Sequence, residues 1–99
     1  MCCDRVSVLE NYPMPEGWYF EEDPRTLIER WTREVMLSPT RKRFVAEIRS
    51  NGAGWRWYVW FVPGNKHVRS GWNQYLLECA EEVDELLPAL VAQFHMGVL

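Results

Sequence analysis

Residues 55–62 (WRWYVWFV) alternate with a period of two. Trp55, Trp57, Val59 and Phe61 fall on one wholly apolar face, and Arg56, Tyr58, Trp60 and Val62 on the other. Aromatic and β-branched side chains at this density are stiff at χ1 and favour a pleated strand. The pattern predicts a central strand with its first face in the core. Residues 43–50 alternate likewise, with Phe44, Ala46 and Ile48 against Val45, Glu47 and Arg49, and the following Asn51-Gly52 is a hairpin signal. Pro63-Gly64-Asn65 marks a second turn. Residues 66–72 then predict a third, more polar strand, with Val68, Ser70 and Trp72 against His67, Arg69 and Gly71.

Two stretches carry a helical period instead. Asp23-Pro24 pairs an N-capping acid with proline at the first helical position, and Leu27, Ile28, Trp31 and Val35 follow on one stripe. Glu29 with Arg33 and Arg30 with Glu34 are opposite charges four apart, so a helix is predicted over 24–37, ended by Pro39. Asn73 is read as the cap of a last helix whose buried stripe is Leu76, Ala80, Val83, Leu87, Leu90 or Val91, and Phe94. Pro88 lacks an amide donor, which predicts a kink or a break after about Leu86.

Residues 1–22 have no helical period. Val6, Val8 and Leu9 suit a short edge strand, and Pro13, Pro15 and Gly17 interrupt the chain before Trp18, Tyr19 and Phe20. Three consecutive aromatics are expected to dock on the domain. The architecture expected is thus an irregular arm, 1–22, on a single α+β domain, 23–99. Its order is α-β-β-β-α: a three-stranded antiparallel meander with two helices on one face and the other face open.

The chain of 99 residues is long enough for one core. Its net charge of −3 hides an uneven layout: residues 40–73 hold seven bases and one acid, while 74–99 hold five acids and no base. Cys2, Cys3 and Cys79 show no framework spacing, and no run approaches a membrane span or a signal-peptide core, so a reduced cytoplasmic setting without membrane contact is expected.

Candidate chemistry concentrates on the open face, where the meander brings together Arg49, Arg56, Tyr58, Trp60, His67 and Arg69. Exposed rings among cations suit a protein partner with acidic patches, anchored on Trp60 and Tyr58. The alternative is single-stranded nucleic acid, with rings stacking bases and arginines meeting phosphates. A covering by the arm, or by a second copy in a homodimer, is the plainer reading of the same patch. A second candidate surface is acidic: Glu78, Glu81, Glu82 and Glu85, with Asp84, on the last helix, more commonly a solvated face than a phosphate mimic. His67 and His95 have no ligand at metal spacing, and no nucleotide or hydrolase motif is present, so neither a cofactor, a metal nor an enzyme is expected.

From Phe44 onward the pattern resembles HicB-type antitoxins. Trp57-Tyr58-Val59-Trp60-Phe61 matches that family's aromatic strand, Pro63-Gly64 its turn and Gly71-Trp72-Asn73 its helix opening. The likeness implies a βββα unit that binds and neutralises a protein partner. The α-β-β-β-α order is also similar to double-stranded RNA-binding domains, without their basic second-helix start. In style the chain resembles small inhibitors of phages and mobile elements. The function expected is a non-enzymatic protein-binding module acting by stoichiometric occlusion.

Overall fold

The computed structural model describes residues 13–37 and 40–98. The edge strand expected around Val6, Val8 and Leu9, and the thiols of Cys2 and Cys3, lie outside the described residues. Among the described residues, five antiparallel strands form one sheet in chain order: β1 (Tyr19–Glu22), β2 (Glu29–Met36), β3 (Arg43–Asn51), β4 (Gly54–Val62) and β5 (Lys66–Asn73). One helix, α1 (Leu76–His95), covers one face. The three strands expected from the alternating segments are present, with Ile48 opposite Trp57 and Phe44 opposite Phe61.

The three-stranded meander with two helices is overturned, because the segment expected as the first helix is β2. Asp23 does cap a turn, its Oδ1 accepting from the Arg25 and Thr26 amides at 2.8 and 3.4 Å. That turn stops after one cycle. Leu27 takes a left-handed φ of 59°, and the Asp23 amide donates to the Ile28 carbonyl at 3.0 Å, closing a hairpin. From Glu29 the chain is extended, so Trp31 faces Ile48 and Val35 faces Phe44. Charge pairs four apart on a helix contribute only about 0.2–0.5 kcal/mol each. Burying the Trp31 ring, 5% exposed, contributes several-fold more.

The segment expected as an irregular arm supplies β1. Phe20 lies opposite Trp31, edge-on with centroids 5.4 Å apart, while Trp18 is buried and its Nε1 donates to Asp84 at 3.2 Å. Pro88 neither breaks nor ends the helix, which runs unbroken for 20 residues. Proline removes one amide donor there, but Leu87 and Leu90 are buried on either side and hold the helix against the sheet. Asn73 is not the N-cap either. Tyr75 occupies that position, and Asn73 Oδ1 accepts from the Tyr75 amide at 2.9 Å, one turn ahead of the helix.

The core lies between α1 and the strand face bearing Trp31, Phe44, Ala46, Ile48, Trp57 and Val59. Cys79 is fully buried there, its Sγ 3.6 Å from the Trp55 carbonyl. Burial, with the charges of Glu82 and Glu78 added, pushes this thiol up from 9.0 to about 11. A folded-state value above the unfolded one stabilises fully below the unfolded value and is lost as pH rises through the folded one. Urea midpoints should therefore fall more steeply between pH 9 and about 11 in the parent than in Cys79→Ala. Identical pH profiles would show that the thiol stays protonated in neither state preferentially.

Candidate functional site

The helix-free face of the sheet is built in rows, because residues directly opposite across antiparallel strands share a face. The first row runs Glu21, Arg30, Arg49, Arg56, Trp72 from β1 to β5. The second is Tyr19, Thr32, Glu47, Tyr58, Ser70, and the third continues with Glu34, Val45, Trp60, His67. Met36, Arg43 and Val62 close it.

Glu47 sits at the centre of this face and is 8% exposed, the one buried charged side chain among the described residues. Its two oxygens are shared between Arg30 Nη1 at 3.0 Å and Arg49 Nη2 at 3.2 Å. Arg30 Nε also donates to Glu21 at 2.7 Å, and this hydrogen bond holds the guanidinium above its ordinary range, against the opposing effect of partial burial. Arg43 pairs with Glu34 at 3.1 Å. Three arginines and three carboxylates thus alternate over β1 to β3. Glu21, Arg30, Glu34, Arg43 and Glu47 line a shallow concavity of about 320 Å³ that also takes in Thr32, Val45 and Trp60.

Beside this network stand the rings. Tyr58 and Trp60 are near-parallel, with centroids 6.0 Å apart, and His67 meets Trp60 edge-on at 5.2 Å. The Arg49 guanidinium lies 5.2 Å over the Tyr58 ring, a cation–π contact that occupies one ring face. Arg56 directly opposes Arg49, and no carboxylate engages it among the described residues.

Of the residues expected on this face, Arg49, Arg56, Tyr58, Trp60 and His67 are brought together. Arg69 is not. A β-bulge between the pairs Val59–Arg69 and Trp60–His67 inserts Val68, so Arg69 falls opposite core residue Val59. The same insertion exchanges Gly71 and Trp72: Gly71 faces the core ring of Trp57, and Trp72 joins the helix-free face, 49% exposed. Sequence reasoning missed Arg30 and Glu34 because it placed 24–37 on a helix, and Glu21 because it placed 1–22 in an irregular arm; without β2 beside it, Arg43 at the start of β3 had no visible partner. The signal for the bulge was Gly71 itself, since glycine inside a strand marks a close approach or a bulge.

The acidic helix surface is divided by the packing. Glu82 turns inward, accepting from Trp57 Nε1 and Asn73 Nδ2, each at 2.8 Å. Asp84 receives Trp18, and Arg33 Nε lies 3.6 Å from it. Glu81 and Glu85 remain exposed, and Glu78 is exposed while accepting from Asn73 at 3.3 Å. Among the described residues no group of three His, Cys, Asp or Glu side chains could hold a metal, and no helix is long and apolar enough to cross a membrane. Comparison with known proteins finds no family model, no curated protein and no solved structure that matches this chain.

Proposed function

We propose that this protein is a non-enzymatic binding module that associates stoichiometrically with a protein partner through its helix-free sheet face. Trp60, with Tyr58 and His67, is the anchor, and occlusion of the partner's own surface is the effect, as in an inhibitor or antitoxin of phage or mobile-element type. A cytoplasmic setting belongs to the same proposal and rests on the free thiol of Cys79.

The observation that carries this reading is the Arg30–Glu47–Arg49 bridge in the middle of the face. A nucleic-acid strand needs an unbroken cationic track for its phosphates. Here Glu21, Glu34 and Glu47 interrupt the arginines, and Arg49 already occupies one face of Tyr58. Alternating charge around an aromatic anchor suits a protein surface of complementary pattern.

The test is capture of partners from native extract, with and without nuclease, by the parent, Trp60→Ala and Glu81→Lys/Glu85→Lys chains. Glu82 is left unchanged because it supports Trp57. The expected result is a nuclease-resistant partner whose affinity for Trp60→Ala falls by about thirtyfold or more, the loss typical of an interface anchor. Binding untouched by Trp60→Ala but abolished by the lysine pair would transfer the site to the helix. Loss of the partner on nuclease treatment would favour nucleic acid.

A further inference from the structure

We infer that the outer edge of β5 receives an extended, acidic segment of the partner as a sixth strand. This rests on the protein-binding reading and names the chemistry of the partner. β5 is a terminal strand of the sheet, eight residues long, and no backbone–backbone hydrogen bond joins residues 66–73 to any described residue outside β4. Outward amides and carbonyls that pair with no backbone group among the described residues are a template for strand addition. The opposite edge, β1, has only four residues and offers much less.

Two observations select the occupant. The first is charge: β5 carries Lys66, His67 and Arg69 and no acid, all three are exposed, and no salt bridge among the described residues engages Lys66 or Arg69. A second copy of β5 laid antiparallel would set these cations against themselves, which is destabilising. An acidic strand meets them favourably. The second is shape: an apolar concavity of about 210 Å³ lies at the start of the same strand, walled by Phe44, Phe61, Val68, Lys66 and His67. It is of a size to take one apolar side chain from an added strand. The bulge at Val68 interrupts regular pairing but leaves residues 69–73 extended. His67 both lines the concavity and contacts Trp60, so an added strand would border the proposed anchor.

The experiment is selection of displayed peptides, about ten residues long to match a full strand, on the full chain, followed by amide hydrogen exchange on the chain with each selected peptide. The expected result is enrichment of Asp and Glu around one apolar residue, slowed exchange at amides within 66–73, and affinity about tenfold weaker for Lys66→Glu/Arg69→Glu. Peptides without acidic enrichment, or acidic peptides that leave β5 exchange unchanged, would overturn the inference. So would protection that rises with protein concentration alone, which would make a second copy the occupant. Trp60→Ala separates the two readings. Peptides that protect β5 equally in this variant sustain the edge and remove Trp60 as anchor. Peptides lost on Trp60→Ala that never protect β5 sustain the face and remove the edge.

Discussion

Replacing Trp57 by alanine should lower the unfolding free energy by about 3–5 kcal/mol, the range for emptying a buried aromatic site. The ring is 7% exposed and lies between the sheet and α1. Its Nε1 donates to Glu82 Oε1 at 2.8 Å, so truncation also removes a donor from a carboxylate that bridges helix and sheet. Asn73 continues to donate to the other oxygen at 2.8 Å, which limits that part of the loss. A domain of this size has about 5–15 kcal/mol in total, so the variant should be marginal. Trp57→Phe keeps most of the apolar contact and loses the hydrogen bond, for a smaller cost of about 1–2 kcal/mol from that bond. Equilibrium urea melts of the three chains decide it. An alanine variant within about 1 kcal/mol of the parent, well below the cavity penalty, would mean that Trp57 is not a core residue.

Gly71→Ala should also destabilise, against the usual sign of that change. In an extended position with no need for positive φ, replacing glycine normally stabilises by about 0.4–1 kcal/mol through the unfolded chain. Here a Cβ would lie 2.6 Å from Cε2 and Cζ2 of Trp57 and 2.7 Å from its Nε1. The indole cannot step aside freely, because Glu82 holds its nitrogen and the core holds its ring. Overpacking of this kind costs about 1–3 kcal/mol, so the net change should be a loss. The clash depends on the outer part of the indole, so it should largely vanish in a Trp57→Phe background. A double-mutant cycle should give a coupling of about 1–2 kcal/mol between the two sites. Equal losses from Gly71→Ala in both backgrounds would show that the two residues do not touch.

The alternating segments 43–50 and 55–62, the Asn51-Gly52 hairpin and the stripe from Leu76 to Leu90 were legible from the residues alone. Each combines local propensity with an unambiguous period, and the structure places Phe44, Ala46, Ile48, Trp57 and Val59 on the core face together. Half of the candidate surface followed from them: Arg49, Arg56, Tyr58, Trp60 and His67 share a face because β3, β4 and the start of β5 pair without interruption up to the bulge. The other half was hidden. In residues 24–37 a helical stripe through Leu27, Ile28, Trp31 and Val35 and a strand face through Trp31 and Val35 fit the same letters. Arg33 blurs the alternation, since it stands on the core-side face of β2 and reaches Asp84 and the Glu16 carbonyl.

By itself, then, the sequence determined the central hairpin, the buried stripe of the last helix and which face of β4 is buried, since those choices rest on neighbours a few residues apart; that the helix runs on through Pro88 it did not determine. The tertiary structure alone decided that 29–36 is a strand, because β3 needs a partner for the edge opposite β4, and Trp31 and Val35 bury Ile48 and Phe44 across it. It alone placed Glu47 between Arg30 and Arg49, a contact spanning 17 residues of chain on one side. And it alone set the face of Trp72, because one inserted residue at Val68 reverses the alternation of everything that follows it in the strand.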